Sequence, residues 1–415
     1  MHRIAPLLLL AAIVVALSSS SAEAFPAFAR RYNVDCVTCH TIPPRLNNYG
    51  IAFMRRGFKM LWDEKLEGQK VDEYASFQAN LDYTSATGQV PASTLGVTQM
   101  ALLSAGPVSP QLSYFGELDY DPLGKVASVH EMRALIFVPL KVDDTQEKYW
   151  AVQVGALRPF STWQKQLTEA RTVEPPFIFT LAPQGGFSFS EDAPQYGAEV
   201  SYNVGSMSGT ANNTYVTAAI LNGLQVNGAG GPNGLTRNQN GSADLELQLA
   251  HYFGPRNSID LMYYSGSIKF NALDVPGGDV TQFPFLQNSQ NGTVTNQYSR
   301  IFLNGNYSPN KHWDFVGGLM VGNDSANPVD GTAAATNGGY VEANYYFPNP
   351  KYVLIGRYDS MNLAAGQQGQ TTNGLTFALT GQVLKNVLIT LERSEVNNPD
   401  ATHTGTTIGD VRFIW

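Results

Sequence analysis

Cys36 and Cys39 are the only cysteines in a chain of 415 residues, and His40 directly follows the second. Asp35-Cys36-Val37-Thr38-Cys39-His40 therefore carries C-x-x-C-H, the attachment signature of a c-type haem. In that chemistry two thiols add covalently to the porphyrin vinyl groups and the histidine ligates the iron. Zinc would need a second Cys/His pair nearby, and a redox dithiol belongs beside a βαβ pattern; the sequence has neither. Two cysteines kept at this spacing and none elsewhere point to chemistry rather than stapling. One covalent haem c is the cofactor this stretch implies.

The surrounding elements say where such a motif would work. His2 and Arg3 precede an apolar run from Ile4 to Leu17, and Ala22-Glu23-Ala24 follows with an A-x-A cleavage pattern. Residues 1–24 read as a signal peptide, with the mature chain starting near Phe25, because the run is too short to span a membrane as a helix. Residues 25–72 read as a short helical segment carrying the motif. Pro43-Pro44 interrupts it; Arg45 to Arg56 suits a helix with Leu46, Tyr49 and Phe53 on one face, Gly50 and Met54 alongside, and Gly57 as its stop. So short a segment buries too little to fold alone and depends on the haem or on surrounding walls.

Residues 73–415 change to a period of two. Ala75, Phe77, Ala79, Leu81 and Tyr83 alternate with Ser76, Gln78, Asn80, Asp82 and Thr84; Leu245, Leu247 and Leu249 alternate with Asp244, Glu246 and Gln248. Strand starts fall near residues 74, 97, 111, 126, 148, 194, 213, 242, 258, 295, 312, 338, 351, 373, 386 and 405. Only 14% of residues are charged, yet beyond the expected signal peptide there is no apolar run of helix-spanning length, which leaves an all-β secreted protein or an outer-membrane barrel as the class. The net charge of -8 argues against nucleic acid as a partner.

Connection lengths decide between the two. Links after even strands are tight, such as Gly254-Pro255-Arg256-Asn257 and Pro348-Asn349-Pro350, and most links after odd strands are long and rich in Gly, Asn, Ser and Thr. That alternation, with an even strand number and both chain ends on the short-turn side, predicts an antiparallel transmembrane barrel of about sixteen strands in contact with outer-membrane lipid. A barrel of that size is wide enough for a lumen or a plug.

With its signal, its single C-x-x-C-H and the following Pro-Pro-x-Leu-Asn-x-x-Gly-x-x-Phe (Pro43 to Phe53), the mature chain resembles the fused monohaem cytochrome-porins of iron-oxidising bacteria. The resemblance is sharp from Cys36 to Phe53 and architectural in the barrel. It implies thioethers at Cys36 and Cys39, His40 as the proximal ligand, and a haem in or at the lumen. It also implies an Fe(II):cytochrome c oxidoreductase in the outer membrane that takes electrons from extracellular Fe(II), or another extracellular donor, and passes them to a periplasmic c-type cytochrome or copper protein. The alternatives are a haem-porin conduit for a different donor or acceptor, and a general diffusion porin with a structural haem.

Met60 and Met54 are the candidate distal ligands, since a thioether raises the potential, and a wall histidine such as His130 is a third option. With periplasmic termini, odd strands rise towards the outside and even strands descend. Asp82, Glu117, Asp119, Asp244, Glu246 and Asp359 then have lumen-facing parity near the outer ends, whereas Lys141, Arg256, Lys311, Lys351 and Lys385 fall at the short turns. The expectation is an acidic outer mouth that concentrates Fe(II).

Overall fold

The computed structural model describes residues 26–43, 45–66, 68, 70–87, 93–122, 126–143, 146–158, 172–180, 194–206, 212–225, 243–271, 293–326, 331–349, 351–363, 371–384, 386–399 and 402–415. The expected signal peptide, Pro44, Lys385 and much of the long loops lie outside the described residues.

Sixteen strands close into one antiparallel barrel. They are β1 Ala75–Ala86, β2 Ser93–Ser109, β3 Leu112–Asp121, β4 Val126–Val142, β5 Glu147–Leu157, β6 Gln195–Gly205, β7 Asn213–Gln225, β8 Asp244–Phe253, β9 Asn257–Asn271, β10 Thr293–Asn310, β11 Trp313–Asp324, β12 Ala334–Tyr346, β13 Tyr352–Asn362, β14 Thr371–Leu384, β15 Val387–Asn397 and β16 His403–Ile414. Each pairs with its sequence neighbours, and β16 closes on β1 from Thr406↔Ala86 to Ile414↔Gln78. Trp415 and Phe77 extend that seam with two backbone hydrogen bonds of 2.6 and 2.7 Å. The expected starts are displaced most at β2 (97 expected, 93 found) and β12 (338 expected, 334 found). Both have a local cause: β2 slips register opposite Asn80/Leu81, and β12 opens on Ala334-Ala335-Thr336-Asn337, which carries little periodic signal.

The pleat sorts the wall. Leu245, Leu247 and Leu249 are exposed on the outer face of β8, while Asp244, Glu246, Gln248 and Ala250 are buried on the inner face. The same alternation around the barrel leaves Leu261, Ile301, Leu303, Leu319, Val341 and Leu391 facing out, a surface suited to hydrocarbon. At the short-turn end an aromatic belt borders it: the Trp313 ring lies 4.9 Å from Tyr345, and Tyr345 lies 5.4 Å from Phe347.

The N-terminal segment lies inside the barrel and meets its inner face on many sides. Ile42 packs with Tyr346, Val353, Ile355 and Ala378; Ile51 packs with Tyr215, Ala250 and Tyr252. Phe53 and Phe58 pack with Ala105, Phe115, Leu135, Phe137, Tyr149 and Ala151. The segment is less helical than its composition suggests. Helix α1 spans Pro26–Tyr32 and α2 spans Asn48–Arg55; Arg45–Leu46, expected as helix, is extended and pairs with His40–Ile42. The switch falls at Asn47, which is extended (ψ 178°) and accepts a hydrogen bond from Gly50 N at 2.9 Å, an N-cap that starts the helix one residue later. Gly57, at φ +74°, ends it as expected.

Candidate functional site

The motif is built on one tight turn. Cys36–Thr38 is a 3-10 turn in which Cys39 N donates to Cys36 O at 3.1 Å, so the two sulfurs leave opposite ends of the same turn, and His40 opens the short strand beyond. No disulfide joins the cysteines. Asn47 fastens the turn: its Nδ2 donates to Val37 O at 3.3 Å and Thr38 O at 3.0 Å, and its backbone N donates to Cys39 O at 2.9 Å. A Cβ at Gly50 would overlap the Cys39 carbonyl oxygen, so α2 sits this close only with glycine there. Leu-Asn-x-x-Gly is thus the clamp that holds the motif.

Three buried arginines and an asparagine anchor this assembly to the wall. Arg45 Nη2 donates to Asn306 Oδ1 at 2.8 Å, and its Nη1 lies 3.2 Å from Asp314 Oδ2. Arg55 reaches Gln248 Oε1 at 3.0 Å and covers the Tyr215 ring; Arg56 lies 3.7 Å from Glu147. Asn48 bonds Pro255 O, Gly254 O and Asn257 O in the turn between β8 and β9, which puts the segment at the short-turn end. Sequence reasoning missed Arg45, Arg55 and Arg56 as anchors. Three arginines within twelve positions of a charge-poor chain were the available signal.

Cys39, Tyr49, Met54, Met60 and Trp62 all flank the aromatic cluster formed by Phe53, Phe58, Phe115, Phe137 and Tyr149. They are partly buried and pack on the same apolar cluster as Cys39, a lining compatible with a flat apolar group beside the motif. Burial pushes the Cys39 thiol up to about 12, and the Arg56 guanidinium opposes that only in part, so the sulfur is held as a thiol at neutral pH. Both candidate methionines, Met54 and Met60, pack against this cluster. His130 sits elsewhere, at the outer end of β4.

The lumen acids are all inward-facing, in different settings. Asp244 accepts from Tyr264 Oη and Tyr298 Oη, each at 2.6 Å, and Glu246 is fully buried on the same strand. Asp82 accepts from Thr98 and faces Asp410 across the closing seam. Asp359 pairs with Arg357 at 2.7 Å. Glu117 and Asp119 are partly exposed and converge with His130.

Residues 172–180, within the long link after β5, also fold against the inner wall. Arg357 Nη1 donates to Thr172 Oγ1 at 2.7 Å and Glu174 O at 2.8 Å; Glu392 accepts from Val173 N and Glu174 N, and Asp359 accepts from Phe177 N at 3.1 Å. The one-turn helix α3, Phe177–Thr180, places Ile178 and Phe179 against Met262, Phe302, Met320 and Tyr340.

Among solved structures, the fold is similar to an anion-selective porin from Comamonas acidovorans (TM-score 0.53, 10% identity, 82% of this chain and 98% of that one). It is also similar to OprB of Pseudomonas putida (TM-score 0.50, 11% identity, 82% of this chain and 93% of that one). No protein-family model matches the sequence, and no curated protein does. The class is therefore a closed sixteen-stranded porin-like barrel, with an additional segment inside it.

Proposed function

We propose that the chain is an outer-membrane electron conduit that takes electrons from extracellular Fe(II) and delivers them, through a covalently attached haem c, to a periplasmic c-type cytochrome or copper protein. The observation that carries this reading is that the chain's only two cysteines, with His40 beside them, stand on one clamped turn at the short-turn end of the barrel interior. Cys36 and Cys39 would hold the haem and His40 would ligate its iron, with Met54 or Met60 as the candidate second protein ligand. A haem bound there supplies one-electron redox chemistry.

The chain's own residues do the rest. Asn47 and Gly50 fix the turn, Arg45, Arg55 and Arg56 seat it on the wall, and Phe53, Phe58, Phe137 and Tyr149 keep water from the apolar face. Ferric products precipitate near neutral pH, so oxidation outside the cell is useful only if the electron alone crosses a hydrocarbon layer about 25 Å tall. A segment carried inside a barrel shortens that crossing.

A diffusion porin with a structural haem is the second reading, favoured by the likeness to porin folds. The test is to purify the protein in detergent, stain for covalent haem, and add Fe(II) anaerobically while recording the visible spectrum. Reduction by Fe(II), lost in Cys36→Ser/Cys39→Ser, is the expected result. A stained haem that only dithionite reduces would leave the second reading, and absence of covalent haem would end both.

A further inference from the structure

Glu117, Asp119 and His130 are the one group of ligating side chains, among the described residues, whose donor atoms converge within 4.8 Å of one another. Their meeting depends on a break in the strand pairing. The register between β3 and β4 steps from Glu117↔Glu131 to Leu118↔Val129, which leaves His130 as the extra residue of a β-bulge. That bulge brings the ring to the inner face, with Nδ1 3.3 Å from Asp119 Oδ2. Two donors that each bond a first-row cation at about 2.1 Å stand about 3–4 Å apart, so this spacing is also that of neighbouring ligands in a coordination shell.

We propose that Glu117, Asp119 and His130 form a divalent-metal site at the outer mouth of the barrel, and that Fe(II) is the cation it takes. The second half rests on the electron-conduit reading; the first does not. One imidazole with two carboxylates suits Fe(II), Mn(II) or Zn(II) better than calcium, which prefers an all-oxygen shell. The site is partly exposed, unlike Asp244 and Asp359, which are buried under tyrosine and arginine partners. Glu131, fully buried below it, takes up the neighbouring positive charge through an ion pair with Arg133 and a 3.8 Å approach to Arg158.

Position on β3 links the site to the lumen's aromatic cluster. Glu117 and Asp119 continue the inward-facing row that includes Phe115, whose ring stacks on Phe58 at 5.7 Å. Asp119 is thus about 13 Å of strand above the cluster that Cys39, Met54 and Met60 flank. A cation held there stands between the outer solution and the motif.

Arg158 is the built-in opponent. Its Nη2 lies 3.1 Å from His130 Nε2 and donates to it, which keeps the ring proton on Nδ1, facing Asp119. Coordination through Nδ1 requires that proton to leave and Nε2 to carry one, so the cation and Arg158 compete for the ring. Removing the guanidinium should tighten metal binding.

The test uses the purified full-length protein in detergent and Mn(II) alone as probe, with bound and free ion distinguished by electron paramagnetic resonance. One Mn(II) site is expected, competed by anaerobic Fe(II). It should weaken about 10-fold or more in Asp119→Asn and His130→Gln, stay unchanged in Asp244→Asn, and tighten in Arg158→Met. Heat-modifiable migration on gels reports whether each barrel is folded. Equal Mn(II) affinity in wild type and both ligand variants overturns the site. Cys36→Ser/Cys39→Ser protein should bind Mn(II) normally, so a failed haem reading leaves this result standing. If Mn(II) binding is lost while the Fe(II) concentration for half-maximal haem reduction stays constant, the assignment of Fe(II) is overturned.

Discussion

Asn47 joins three functions in one side chain: it caps α2, fastens the Val37 and Thr38 carbonyls, and marks the residue where extended backbone turns helical. Loss of such a cap costs about 1 kcal/mol, and here the cost falls on the seating of the motif. Asn47→Ala should lower the yield of covalent haem per barrel, with Asn47→Asp keeping the cap but losing the carbonyl bonds; haem stain against heat-modifiable barrel measures it. Lys59 offers a pH test. Its ammonium donates to Pro110 O at 2.6 Å under the Phe137 and Trp62 rings, and burial pulls it down to about 8, with Glu64 opposing. Below about 8 both the seated and released forms are protonated. Between there and the ordinary lysine value the released segment holds more protons, so the seated form gains stability as pH rises, in the limit by about 3 kcal/mol. Protease protection of residues 26–66 should therefore increase from pH 7.5 to 9.5, and Lys59→Met should abolish the increase.

At the scale of elements, the lumen is occupied from two directions. The N-terminal segment hangs on Asn48 and the arginines near the short turns, and residues 172–180 are held by Arg357, Asp359 and Glu392. Arg357 carries most of the second attachment: it bonds Thr172, Glu174 and Pro175 as well as Asp359. Removing one partner of a buried pair costs about 3–5 kcal/mol because the other charge is left in place. Arg357→Ala should release residues 172–180 and raise single-channel conductance in planar bilayers, with the haem stain unchanged. The sequence showed this stretch only as a long link after an odd strand. Nothing local to residues 172–180 says that Glu392, more than two hundred positions away, will accept its backbone N–H groups.

For the whole molecule, closure of the wall involves β1 and β16 and no residue of the segment inside. The strand ladder of the wall closes without the plug, and water can take the place of Asn48 and Lys59 on the turn carbonyls and solvate the acids that Arg45 and Arg56 leave behind. Deleting residues 26–66 should thus give a barrel that still assembles and remains heat-modifiable, conducts more than the intact chain, and carries no haem. A deletion that fails to assemble would mean that the segment templates the barrel.

Strand number, chain direction and the sorting of side chains between lipid and lumen were legible in the sequence, because a pleat forces a period of two and short turns alternate with long links. The C-x-x-C-H motif was legible for the same reason: its members are neighbours in the chain. Parity says that Asp244, Glu117 and Asp119 all face inward, but it cannot say that two tyrosines bury the first while a bulge brings His130 to the others. Those outcomes depend on register between strands and on which stretch of wall each arginine reaches. Only closure of the barrel around its own N-terminal segment decides them.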